Sequence, residues 1–328
     1  MHSRKATFVA IDREILAERH EVRDWYQPGR VPNLPRLVPA LLRSDLVFAW
    51  FASWHSFFPI TLAWLLRKPS VLIIGGFDTA NMPEIGYGHQ RGGFRRWASR
   101  FMMRRATVLV TNSRYSLTEI ERNTPIPPER VTVVHHGVPD PFGELPPVDR
   151  EPVALTVGAI DRTTLDQKGQ RPFVQAAARL PDVRFVFVGK WDEDAIAELR
   201  AVAADNVTFT GWLSEEDLLD QFRRAAVYVQ ASHHEGFGLA VAEAMLAGCV
   251  PVVTDVTAMP EVVGDAGVLI PSQRPEDVAD GVRRALDEPP EARERARERV
   301  LGEFPLERRR EGILGAARRA LEARSGAH

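Results

Sequence analysis

The chain has one cysteine, Cys249, in 328 residues, which excludes an internal disulfide and suits a reducing cytosol. Cys249 sits between Gly248 and an apolar run, so it reads as a core thiol. Neither sign of charge is in excess: 42 Lys and Arg face 44 Asp and Glu, and a net charge of −2 argues against a general nucleic-acid binder. No basic-then-apolar leader opens the sequence, so the expected location is cytoplasmic. The histidine pairs His135/His136 and His233/His234 are adjacent and lack the spacing of metal ligands, so no metal site is expected. Long hydrophobic runs are scarce. The one uncharged stretch of membrane-spanning length, 46–66, is interrupted by Ser53, His55, Ser56 and Pro59. It reads instead as a strand over 46–51, a loop, and a buried helix over 57–66.

What the sequence does have is alternation. Helix 34–43, strand 45–51, helix 57–66 and strand 70–75 are followed by a glycine-containing loop over 76–93. Then come helix 94–105, strand 107–111, helix 114–122 capped by Ser113, and strand 131–135. Residues 137–150 are rich in Pro and Gly and read as an interdomain linker. A second alternation begins at Pro152, with strands at 153–158, 184–189, 207–210, 227–230, 250–253 and 267–270 and helices between them. Alternating strands and helices imply parallel sheets covered on both faces, with ligands outside the carboxyl ends of the strands. The opening departs from this pattern. Residues 1–7 are polar, 8–11 suit only a short strand or loop, 14–18 look helical and 21–26 look like a second strand. The first strand is therefore expected to be shortened or missing, through a truncated start or a remodelled sheet edge.

The most informative stretch is 227–254. A short apolar strand leads to a loop ending Glu235-Gly236-Phe237-Gly238, then to strong helix formers from Leu239, to Gly248 at the helix end, and to another buried strand. Gly236 and Gly238 let backbone N–H groups turn to a ligand at the helix N-terminus, where free donors and the helix dipole favour phosphate. Glu235 and Glu243 flank that anion site, seven residues apart.

This stretch resembles the E-x7-E signature of retaining family-4 glycosyltransferases (glycosyl transferases group 1). The resemblance covers most of the chain but is specific only over 153–270. It implies a GT-B fold: two Rossmann-like domains facing each other across a cleft. These would be an acceptor domain over 1–145 and a donor domain over 146–305, with a final helix over about 306–324 packing back onto the first domain. It further implies that Glu235 contacts the donor sugar, that Glu243 contacts the nucleotide ribose, and that the amides of Gly236, Phe237, Gly238 and Leu239 cradle the diphosphate. Lys168 resembles the family's lysine that neutralises the leaving diphosphate. The family's arginine, directly after a strand-ending glycine (here Gly158), is replaced by Ala159; Arg162 in the longer loop is a candidate to reach the same phosphates. Leu213 is a candidate for base recognition, and Trp191 either stacks on a base or covers the core. The substrate would be a UDP-, GDP- or ADP-sugar, with no obligatory cofactor and an unidentified glycan, lipid or small-molecule acceptor.

In the first half, where many relatives place a histidine near the reacting centre, Asp78 is the nearest titratable group. It is a candidate for orienting the acceptor, or else a turn former; His55 is a second acceptor-side candidate. The acidic run 192–194 looks like a metal-binding D-x-D but opens a helix, and dipole complementarity explains it more simply. Arg96, Arg100 and Arg104 recur on one helix face opposite Phe94, Trp97, Ala98 and Phe101; this basic face is either simply solvated, the more frequent case, or a candidate for contact with a phosphorylated acceptor or, peripherally, with anionic lipid at the inner membrane. Competing readings are a nucleotide-sugar epimerase of the same fold, a glycoside hydrolase, and a catalytically silent nucleotide-binding module, which Ala159 and the clipped start make credible.

Overall fold

Short strands, most of them runs of Val, Ile, Leu and Phe buried on both faces, form two all-parallel sheets among the described residues of this computed structural model. It describes residues 1–2, 7–27, 29, 32–144 and 150–325. The chain divides into one unit of Met1–Gly137 with Leu306–His328, and a second of Val138–Pro305. The division falls before the expected 145/146 boundary, and residues 145–149 of the linker lie outside the described residues.

Among the described residues the first unit has four strands, β1 (Val47–Trp50), β2 (Ser70–Ile74), β3 (Val108–Thr111) and β4 (Val131–Val133), paired in that order. Beside β1, Met1 N donates to Phe48 O at 2.8 Å and Trp50 N donates to Met1 O at 3.1 Å, while His2 pairs with Tyr26 in a single bridge. Those bridges are all the strand structure seen among the described residues before β1. Residues 8–11 lie inside the helix Thr7–Ala17, and 21–26 do not form the expected strand. Phe8, Ile11 and Ile15 follow a helical rather than a strand period, with Val9, Ile15 and Leu16 buried. The helix is held by Asp12, whose two oxygens accept from Nε and Nη2 of Arg309 at 2.8 and 2.7 Å; Arg309 belongs to the last helix, Leu306–Ser325.

Two helices of this unit differ from expectation. Trp54–Leu65 starts earlier and carries Pro59 inside it, because His55 and Ser56 both bond to Trp50 O and fix the first turn directly after β1. Gly93–Arg105 buries Ala98, Ser99, Met102 and Met103 and leaves Phe94 and Trp97 more than half exposed. Nor does Arg100 belong to an outward basic face. Its Nε donates to Gln90 Oε1 at 3.0 Å and its Nη2 to Asn123 O at 2.7 Å, so the expected stripe of Arg96, Arg100 and Arg104 is broken at its centre.

Among the described residues the second unit has six strands: β5 (Glu151–Val157), β6 (Arg184–Val188), β7 (Val207–Gly211), β8 (Ala225–Gln230), β9 (Val250–Thr254) and β10 (Val268–Ile270). Their order is β10-β9-β8-β5-β6-β7. The chain runs outward from β5 to β7, then returns to place β8 on the other side of β5. The β5–β8 pair is therefore the point where strand order reverses, and the loops at its carboxyl end are where an open α/β sheet binds ligands.

Candidate functional site

The loops after β5 and β8 meet at that reversal. β8 ends in Gln230, whose Nε2 donates to Glu235 Oε1 at 2.7 Å, with Ser232 Oγ at 3.4 Å. Lys168 Nζ lies 3.0 Å from the same oxygen. Lys168 follows β5 by way of a one-turn helix, Thr164–Gln167, that the sequence reading did not anticipate. Gly169 comes next at φ 63°, and a Cβ there would stand 1.9 Å from Ala231 O, so the two loops touch backbone to side-chain position. They are also joined by His233 N to Gln167 O at 2.7 Å and Gln167 Nε2 to His234 O at 3.2 Å. Lys168 and Glu235 are thus held together by backbone closure, and not only by their mutual charge.

Beyond Glu235 the chain passes through Gly238 at φ 102° into the helix Leu239–Leu246. The conformation at Gly238 calls for glycine, and a Cβ there would also stand 2.3 Å from Met259 Cε, so that the end of the methionine side chain would have to move. Phe237 is buried, its ring edge-on to Phe304 at 5.1 Å, so it anchors the loop and can meet a ligand only through its backbone. Glu243 sits in the second turn of the helix, half-buried. Its carboxyl is pushed up to about 7, chiefly by desolvation and to a lesser degree by Glu215.

Other sequence candidates fall at varying distance from this cluster. Gly158 N donates to Val188 O at 2.9 Å, and a side chain at its position would meet Lys168 Cδ at 3.9 Å. Arg162 stands apart: it is exposed, and its Nη2 pairs with Asp194 at 3.4 Å. Ala159 keeps a structural role through its carbonyl, which accepts from Thr164 Oγ1 and Gln170 Nε2. Leu213 packs half-buried against the core beside exposed Trp212, while Trp191 packs against the core and carries Arg200 over its ring at 5.2 Å. Among the described residues, no group of three or more His, Cys, Asp or Glu could hold a metal ion.

Asp78 and His55 belong to the first unit, and both are buried. Asp78 Oδ2 accepts from Ala52 N at 2.7 Å and Oδ1 from Gly75 N at 2.8 Å, so it ties the loop after β1 to the loop after β2. Desolvation pushes it up to about 7 against those hydrogen bonds. His55 Nε2 lies 2.5 Å from Trp50 O. Gln230, Ser232 and Gln167 were not anticipated; the available signal was a polar residue closing an otherwise apolar strand.

Chemically, the second unit offers a helix start with backbone donors, a nearby ammonium and two carboxylates. Such a set suits an anion carrying hydroxylated groups on either side. The fold is GT-B: it superposes on HepE of Anabaena, solved in complex with UDP and glucose, with a TM-score of 0.76 over 96% of each chain at 17% identity. Residues 151–288 match the family model of glycosyl transferases group 1, and residues 10–140 that of glycosyltransferase family 4. The chain belongs to this family and is a glycosyltransferase of hexosyltransferase type. It is 27% identical over 267 residues to an alpha-D-kanosaminyltransferase of Streptomyces kanamyceticus, covering 74% of this chain and 67% of that one. It is 35% identical over 154 residues to a phosphatidyl-myo-inositol mannosyltransferase of Mycolicibacterium smegmatis, covering 44% of this chain and 39% of the relative. Among the described residues, no helix is long and apolar enough to cross a membrane.

Proposed function

We propose that this enzyme moves a sugar from a nucleotide diphosphate donor to an acceptor hydroxyl with retention of anomeric configuration. The observation that carries the reading is the meeting of Lys168 and Glu235 at 3.0 Å beside the Gly238 helix start. In this proposal the amides of Gly236, Phe237, Gly238 and Leu239 hold the diphosphate, Lys168 turns to its oxygens, Glu235 holds the sugar and Glu243 accepts from the ribose hydroxyls. As the glycosidic bond breaks, negative charge grows on the leaving phosphate, where the ammonium and the helix dipole stabilise it. The acceptor oxygen bonds to the anomeric carbon on the same face, and its proton passes to a leaving phosphate oxygen, so no protein nucleophile is consumed. Gly158 gives the Lys168 stem room, and Leu213 flanks the base. Arg162 joins the phosphates only by leaving Asp194, an exposed pair that costs little to break. Asp78 acts by positioning, holding two loops of the first unit rather than touching a substrate.

The relatives' names speak for a hexose or aminohexose donor, and the HepE complex makes UDP a natural first trial beside GDP and ADP. The acceptor remains a glycan, lipid or small molecule, and the working place a cytoplasmic one. An epimerase of the same fold is not favoured, because the relatives named above are transferases. The test is incubation with UDP-, GDP- and ADP-sugars and an acceptor panel, followed by NMR of the product anomer. Acceptor-dependent release of nucleoside diphosphate, an anomer matching the donor, and loss of both in Glu235→Gln are the expected results. An inverted anomer, or undiminished turnover by Glu235→Gln, overturns the assignment.

A further inference from the structure

In the first unit, the helices Trp54–Leu65 and Gly93–Arg105 are joined by aromatic rings: Phe57 lies 6.0 Å from Trp97 and from Phe101, and Trp64 lies 5.9 Å from Phe101. The rings continue outward as a ridge, with Trp54 on Phe94 at 5.3 Å, Phe94 on Trp97 at 5.1 Å and Trp97 on Phe101 at 5.4 Å. Phe94, Trp97, Trp64, Leu65 and Leu66 are each 40% to 61% exposed. Scattered apolar side chains are normal on a surface, but several gathered on two neighbouring helices mark a place of contact.

Along the two helices that carry the ridge, the charge is of one sign. Residues 54–68 and 89–108 contain no Asp or Glu, in a chain that has 44 of them. Arg104 and Arg105 stand three and four residues beyond Phe101, where helical spacing puts them next to it, and the Arg105 guanidinium lies 4.2 Å from the Trp64 ring centre. Arg67, Arg95 and Arg96 are exposed nearby.

We propose that this aromatic ridge seats the first unit on an anionic lipid bilayer, with rings and leucines entering the boundary between headgroups and acyl chains and the arginines meeting lipid phosphates. Amphipathic rings settle at headgroup level, and arginine stems cover apolar surface while their heads reach the charge. A glycan would need ring faces to stack on, yet Trp54, Phe94, Trp97 and Phe101 turn faces to one another at interplanar angles of 16°, 30° and 19°. The seat is independent of the donor-site reading, since every residue in it belongs to the first unit.

The experiment is co-sedimentation of the full chain with vesicles of phosphatidylcholine alone or mixed with phosphatidylglycerol. Binding is expected only to the anionic vesicles and weakens with salt. Phe94→Ser/Trp97→Ser abolishes it while leaving nucleotide binding intact. Arg96→Ala, which disturbs no ring, and Arg104→Ala each lower the partition coefficient about five-fold. The proposal is overturned by absence of binding to anionic vesicles at low salt, by the ring variant sedimenting like the parent protein, by unchanged partition of the arginine variants, or by retention on a polysaccharide matrix in place of vesicles.

Discussion

Replacing Lys168 by alanine separates what its ion pair does for the fold from what the ammonium does for the reaction. The side chain is 32% exposed and Glu235 15%, so the pair is partly screened by water. After the substitution Glu235 keeps Gln230 Nε2 at 2.7 Å and Ser232 Oγ at 3.4 Å, and the two loops remain joined through Gln167 and Gly169. The stability loss should therefore be about 1 kcal/mol, near the upper end for such pairs. Charge stabilisation on a leaving phosphate is worth more, because it acts where charge appears during the reaction; its removal should lower kcat about a hundred- to a thousand-fold. Urea denaturation gives the first quantity and steady-state release of nucleoside diphosphate the second. A kcat equal to that of the parent protein would refute the placement of Lys168 at the phosphate. So would a rate loss matched by an equally large loss of stability.

Four further outcomes follow from three positions, Gly238, Glu243 and Arg309. Gly238→Ala forces a side chain into φ 102° and towards Met259 Cε; it should cost about 1–2 kcal/mol by urea denaturation, with Gly238→Ala/Met259→Ala recovering only the steric share. Glu243 has an ordinary value of 4.5 and about 7 in the folded chain, so folding takes up a proton between them. Its contribution to stability falls as pH rises through that window and is lost above about 7, and Glu243→Gln should flatten this dependence in pH-resolved unfolding. The ionised carboxylate is the better acceptor for ribose hydroxyls, so calorimetry should show nucleotide affinity rising with pH across neutrality and becoming level in Glu243→Gln. Arg309→Met strands Asp12 in the interior and should cost about 3–5 kcal/mol, while Asp12→Asn/Arg309→Met recovers part of it in the same denaturation assay.

The glycine loop, the helix after it and the two glutamates were legible because their signals are local: a strand's apolar run, a glycine before helix formers, and fixed spacing. The partners of Glu235 were not, since Lys168 reaches it only through a β5–β8 adjacency that no local pattern encodes. Helix Gly93–Arg105 shows a second limit. Its sequence has an aromatic stripe and a stripe of Ala and Met, and periodicity gives their spacing without saying which one packs inward; the smaller side chains did. The start of the chain failed for a similar reason, because residues 8–11 are too few to distinguish strand from helix until Ile15 and Leu16 are counted with them. Asp78 was ambiguous between turn and chemistry, and the Ala52 amide on its carboxylate comes from 26 residues away, a contact that no local pattern encodes.

The most direct measurement is an amide NMR titration of the 15N-labelled chain with UDP, GDP and ADP. Saturable shifts at the backbone amides of Gly236, Phe237, Gly238 and Leu239 with one of these nucleotides, weakened in Lys168→Ala, are the expected result. Saturable binding that leaves those four amides unmoved, or no binding of any of the three, would contradict a diphosphate seat at this helix start.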